Sequence, residues 1–188
     1  MGAEYEGLQV VLDGCCLLNL YASRRIADIF RGSTTQFAAS TRTLAEAIYV
    51  YRGGAGEDAY ERERVDLSNI IERHLLEVLS LETEEEYAAF VDYAAMLDDG
   101  EAEVCALAVR RGLAVATDDR KVLRVLKTQH PSVPVFTTAG IVKHWAEASR
   151  ISDAILKATL LDIEIRARFK PPKSDELQTW WLNMTRGT

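Results

Sequence analysis

Short apolar runs alternate with longer stretches whose apolar residues recur at helical spacing. LQVVL at 8–12 is a continuous apolar run that stops at Asp13, the pattern of a buried strand. From Cys15 to Gly32, Leu17, Leu20, Tyr21, Ile26, Ile29 and Phe30 fall on helical spacing, and Gly32 is a suitable stop. A short strand is expected at 36–39, then a helix from about Thr41 to Tyr51 capped by Ser40 or Thr41. Gly-Gly-Ala-Gly at 53–56 reads as a loop, and the charged segment 57–75 as mostly helix. LLEVLSL at 75–81 reads as a strand. Thr83 with Glu86 forms a capping box that opens a helix over 84–96. A helix over 99–112 ended by Gly112, a strand at 113–117, a helix carrying Lys121–Lys127 and a strand at 133–138 come next. Helices through Trp145 and over 151–169 follow. The tail 171–188 carries little pattern, although Trp180 and Trp181 imply that it docks on something.

Strands alternating with helices predict an α/β fold, a three-layer sandwich with a central parallel sheet flanked by helices. The core is expected over 1–150, with 151–188 a C-terminal helix and tail packing on it or extending from it. In such sheets ligands bind beyond the carboxyl ends of the strands. Asp13 and the pair Asp118–Asp119 stand at those ends.

A chain of 188 residues, 48% hydrophobic and 27% charged, suits one soluble domain with a substantial core. The net charge of −7 argues against coating nucleic acid by bulk electrostatics, but leaves room for an enzyme with local basic groups. No run approaches the roughly 18 apolar residues of a membrane span, and the acidic N-terminus is unlike a signal peptide. Three cysteines, two of them adjacent, form neither a disulfide framework nor a zinc spacing, so a reducing, cytoplasmic setting is expected.

The stretch from Asp98 to Asp119, DDGEAEVCALAVRRGLAVATDD, is unusually rich in acids for a segment that looks buried. Such acids hold a metal, cap a helix, or do both. Asp13 can be an N-cap or a metal ligand, and the company of other acids favours the ligand. Glu46 lies among Leu44, Ala45, Ala47, Ile48 and Val50, which leave little room for a polar face. Glu101 and Glu103 are about 200° apart on a helix and cannot both face one site. Glu101 falls in the first turn, where an acid suits the helix dipole, so Glu103 is assigned to the chemistry. One of Asp118 and Asp119 is expected to cap the next helix while the other reaches across the strand ends. His74, His130 and His144 show no ligand spacing, and Cys15 and Cys16 read as packing.

Four separated carboxylates without histidine or cysteine ligands fit Mg²⁺ or Mn²⁺ better than zinc. Such ions activate water and neutralise charge on a phosphodiester. Arg120, Lys121, Arg124 and Lys127 follow the last acid; 120, 124 and 127 share a helix face that can steer phosphate, or can simply be solvated.

VVLDGCCLLNLY, TRTLAEAIYV, GEAEVCALAVRRG and LAVATDDRKVLRV together resemble the four ordered motifs of PIN-domain proteins, of the branch whose third motif reads Gly-Glu-Ala-Glu. The likeness runs from about residue 8 to 140. It implies a PIN-like fold and a Mg²⁺- or Mn²⁺-dependent endoribonuclease. By position, Asp13, Glu46, Glu103 and Asp119 would be the catalytic and metal-binding acids, with Asp118 in support. It also implies an RNA substrate, an antitoxin partner of a toxin–antitoxin pair, and a homodimer. The alternative is a PIN-like interaction module with weak or no nuclease activity, working through the acidic surface and the Trp180–Trp181 tail. An Asp-based phosphotransferase is less apt, because Asp13-Gly14-Cys15 lacks a second Asp.

Overall fold

The computed structural model describes residues 7–53 and 60–187. The acidic N-terminal residues 1–6 and most of the glycine-rich loop expected at 53–56 lie outside them. Five parallel strands form the central sheet: β1 (Gln9–Leu12), β2 (Gln36–Ser40), β5 (Glu77–Leu79), β6 (Ala114–Ala116) and β7 (Val135–Phe136), in the order β5-β2-β1-β6-β7. The chain builds outward from β1 to one edge, then returns to lay β6 along the other side of β1. The point where the order reverses therefore lies between β1 and β6, and their carboxyl ends open a crevice there.

The strands are buried on both faces, as parallel strands are. Val10, Leu12, Ala114 and Ala116 face one layer, made by α1 (Gly14–Ala22), α2 (Ile26–Gly32), α8 (Thr138–Ala148) and α9 (Asp153–Arg166). Val11 and Val115 face the other, made by α5 (Glu84–Ala94), α6 (Asp99–Arg111) and α7 (Arg120–Gln129). The period of two along each strand supplies both cores. This is the three-layer α/β sandwich read from the alternation.

Four expectations about elements change. The helix expected to run to Gly32 is two helices, because Ser23 ends α1 and Arg24 enters the left-handed region at φ 60°. The helix expected over 41–51 stops early: α3 spans Thr41–Glu46, and β3 (Tyr49–Tyr51) follows. Ile48 to Tyr51 is a β-branched and aromatic run, and it pairs antiparallel with β4 (Arg62–Arg64). The charged segment expected as helix over 57–75 is thus, in its described part, a strand followed by the short α4 (Ser68–Glu72). The tail contains α10 (Gln178–Arg186), whose Trp181 is fully buried. Its Nε1 donates to Glu164 Oε1 at 2.9 Å, and its ring meets Phe169 edge-on. Among the described residues no helix is long and apolar enough to cross a membrane.

The α5–α6 layer is pinned by a buried ion pair. Arg111 donates to both oxygens of Glu86, at 2.6 and 3.1 Å, and the backbone N–H groups of Glu82 and Thr83 also donate to it. Thr83 and Glu86 complete the capping box read from the sequence. Chiefly through Arg111, the Glu86 carboxyl is held down at about 2, from an ordinary 4.5. Such a group stabilises the fold above its unfolded pKa, and that contribution is lost as pH falls through the folded value. Glu86→Gln is expected to cost about 3 kcal/mol at pH 7. The difference from the native chain should shrink between pH 4.5 and 2. Denaturant titrations across that range measure it, and a difference independent of pH would contradict the assignment.

Candidate functional site

Register explains why residues far apart in sequence meet. Leu12 pairs with Ala116, so the next residues, Asp13 and Thr117, leave the sheet side by side. The Asp13 N–H still bonds Ala116 O at 2.9 Å. Asp13 then caps α1, its Oδ1 accepting from Gly14 N at 2.6 Å. Its Oδ2 accepts from the Thr117 hydroxyl at 2.7 Å and from Cys15 Sγ at 3.2 Å. The Thr117 oxygen in turn accepts from the Asp119 N–H at 3.0 Å. One buried hydroxyl therefore fixes both Asp13 and Asp119. Asp119 caps α7 through Oδ1, which accepts from Lys121 N and Val122 N, leaving Oδ2 outside those bonds.

Asp118 and Asp119 divide the work as alternation required. Asp118 turns inward and accepts from Asn19, from Cys16, and from both the hydroxyl and backbone N–H of Thr138. Burial raises its pKa, and these donors oppose the rise. It ties β6 to α1 and α8.

Glu46 is the last residue of α3 and is exposed, contrary to its apolar sequence surroundings. Its carboxylate lies against Gly100 in the first turn of α6 and accepts from the Gly100 backbone N–H. A Cβ at position 100 would collide with it. Partial burial of the carboxylate raises its pKa first, and the negative charges of Asp13, Asp99 and Asp98 raise it further. Glu101 completes a capping box with Asp98, as its first-turn position implied. It is also part of the acidic cluster: burial raises its pKa, and the charges of Asp119, Asp13 and Asp98 add to the rise. Glu103, assigned to chemistry from sequence, is buried, and its Oε2 accepts from the backbone N–H of Arg42 at 3.2 Å. The Arg42 guanidinium reaches Glu103 at 3.9 Å and Asp99 at 3.4 Å.

Asp13, Glu46, Glu101 and Asp119, from four chain segments near the reversal point, thus lie within electrostatic reach of one another, with Glu103 holding the start of α3. Sequence reasoning missed the bridging Thr117 and the nearness of Glu101 to the charges of Asp13 and Asp119. A hydroxyl one residue past a strand, beside a carboxylate one residue past its neighbour, was the available signal. Arg120, Lys121 and Arg124 lie exposed on α7. Arg120 lines a cleft of about 410 Å³ with Asp118, Leu123 and Leu177.

A second group bears on metal binding. Cys15, Cys16 and Asp118 each bring a ligand atom within 4.8 Å of the others, a group able to hold a metal ion. Among the described residues no three of the acids Asp13, Glu46, Glu101, Glu103 and Asp119 come as close to one another. The Cys16 thiol is fully buried, which pushes its pKa well above the ordinary value. It already donates to Asp118 at 3.3 Å.

Comparison of the chain with protein-family models, with curated proteins and with solved structures finds no match.

Replacing Thr117 by Val keeps its shape but removes the donor to Asp13 and the acceptor for Asp119. The expected loss is about 2–3 kcal/mol in denaturant unfolding, because a hydrogen bond to a carboxylate disappears inside the fold. Thr117→Ser should recover most of it; equal losses in Val and Ser variants would remove the hydroxyl from the account.

Proposed function

We propose that this chain is a divalent-metal-dependent endoribonuclease with a PIN-type fold, working at the Asp13–Asp119 crevice. The observation that supports the reading is the approach of carboxylates from four segments: burial first, and then the charges of neighbouring acids that include Asp13, raise the pKa of Glu46 and of Glu101. Like charges held together resist ionisation, and a divalent cation removes that cost. Oxygen donors suit Mg²⁺ or Mn²⁺. The thiol-containing group beside them does not, and the oxygens of its Asp118 are already committed to internal donors.

Bound at these acids, Mg²⁺ or Mn²⁺ would activate water and neutralise charge on the scissile phosphodiester. Asp13 and Asp119 offer oxygens whose positions are fixed by Thr117 and by the helices they cap. Glu46 and Glu101 close the same cluster from α3 and α6. Glu103 keeps its place in the set by anchoring the backbone of Arg42, and so the entry to α3. Arg120, Lys121 and Arg124 supply cations for phosphates beside Asp119. The choice of RNA follows the resemblance of the four motifs, and an antitoxin partner, a homodimer and a cytoplasmic setting belong to the same proposal. The interaction-module reading loses one of its features, since Trp181 is spent on α9 and Phe169, while the acidic charge that also prompted it is unchanged.

The test is cleavage of an RNA panel with Mg²⁺, Mn²⁺ or chelator. Asp13→Asn should lower the rate about 100-fold or more, as loss of several kcal/mol of charge stabilisation requires. Cleavage undiminished by that change sinks the site. Gly100→Ala offers a finer check, because its Cβ displaces a flexible carboxylate rather than backbone. Alanine is favoured over glycine in a helix by about 1 kcal/mol, so the melting temperature should hold or rise. Cleavage should fall about 10-fold, as a misplaced reacting group demands. Unchanged activity would take Glu46 out of the centre.

A further inference from the structure

The hairpin β3–β4 carries a surface that the acidic centre does not explain. Its period of two sends Val50 and Glu63 inward, where Val50 is buried and Glu63 meets Arg166 at 2.8 Å. Tyr49, Tyr51, Arg62 and Arg64 therefore share the outer face. The Arg62 guanidinium lies over the Tyr49 ring at 4.1 Å. Arg168, just past α9, lies over Tyr51 at 3.9 Å and reaches Tyr60 at 5.8 Å. Tyr60 is 72% exposed and Tyr49 37%. Among the described residues Arg62, Arg64 and Arg168 enter no ion pair, whereas Arg52 is paired with Glu61 and Arg24 with Asp162. A chain of net charge −7 thus places three guanidiniums on one small aromatic face.

Two further features single out this face. Arg168 holds a left-handed backbone, φ 55°, where glycine is the usual residue after a helix. That conformation costs free energy in a residue with a side chain. Beside it a groove of about 280 Å³ runs between Tyr49–Tyr51 and Ala167–Phe169. Cys15 and Asn19 also line it. Cys15 Sγ is 3.2 Å from Asp13 Oδ2, so one lining residue of the groove touches a proposed metal ligand.

We propose that this tyrosine–arginine face and its groove bind single-stranded RNA and lead it to Asp13. The inference rests on the nuclease reading for its substrate, but it makes a separate claim about binding. Exposed rings give unpaired bases a stacking surface, and guanidiniums answer the phosphates between them. A duplex cannot use such a surface, because its bases are already stacked on one another.

The experiment is fluorescence anisotropy with a labelled single-stranded RNA of about 12 nucleotides, within the site sizes of such platforms, in chelator so that nothing is cut. Tyr49→Ala should weaken binding about 5-fold or more. Arg168→Gly should weaken it similarly and reduce the slope of log K against log salt by about 0.7, the value for one phosphate contact on a single strand. Glycine accepts φ 55° without strain, so Arg168→Gly should keep or raise the melting temperature, which separates lost binding from lost folding. Unchanged affinity and salt slope in both platform variants overturns the inference, as does equal affinity for a duplex of the same sequence. Binding that depends on the platform, in a chain that cuts no RNA with Mn²⁺, would uphold the inference and fail the nuclease reading. Cleavage with binding indifferent to the platform would do the reverse.

Discussion

The parallel pairing of β1 with β6 is the constraint on which the site depends. It sets two strand ends next to each other, and everything chemical follows from what the chain places one to three residues beyond them. Asp13 and Thr117 emerge as neighbours, and the Thr117 hydroxyl locks the Asp13 carboxylate while receiving the N–H of Asp119. A slip of one residue in this register would turn Val11 and Val115 to the wrong core and part these groups together. Stability of the sheet and assembly of the site are therefore one requirement.

Gathering carboxylates is costly, and the fold offsets the cost with helix N-termini. Asp13 begins α1, Asp119 begins α7, and Asp98 with Glu101 begins α6, whose Gly100 N–H also donates to Glu46. Each terminus presents unsatisfied N–H groups and the positive end of a dipole. The choice between cap and ligand, posed acid by acid in the sequence, is thus a false one for Asp119. One oxygen caps while the other stays outside those bonds. Burial, and then the charge the termini do not neutralise, raise the pKa values of Glu46 and Glu101. Cys105, deeper in α6, is pushed up to about 12 by burial, with Asp13 and Glu101 adding to the rise.

Much of this was legible because it is local. Apolar runs, the Thr83 capping box, the first-turn place of Glu101 and the Gly112 stop, where φ is 68°, are signals a few residues long. The strand ends carrying Asp13 and Asp118–Asp119 followed from the same reading. The misses are long-range. Residues 48–51 read as the end of a helix because their partner, 62–64, lies beyond a break in pattern, and a strand pair has no signature in one strand alone. Glu101 and Glu103 could be told apart by angle, but the partners each carboxylate finds depend on the direction of α6 relative to the sheet. That direction is set by packing of α6 on α5 and on the sheet, not by any residue in the motif. Trp181 finds its partners on α9 and beyond, outside the tail whose pattern was weak.

Arg166 shows why the hairpin and the C-terminal helices belong to one device. It is 2% exposed, yet it donates to Ala22 O, Tyr51 O and Glu63 Oε1. These partners come from α1, β3 and β4. A buried guanidinium is tolerable when its donors are satisfied, and here that condition dictates where the hairpin sits. Removing Glu63 or shifting β3 would leave a charge stranded in the core. The end of α9 is thereby fixed against Tyr51, and Arg168, two residues on, is carried over the same ring. The buried arginine sets the distance, and the one two residues on gains a fixed position in the lining of the groove that Cys15 also lines.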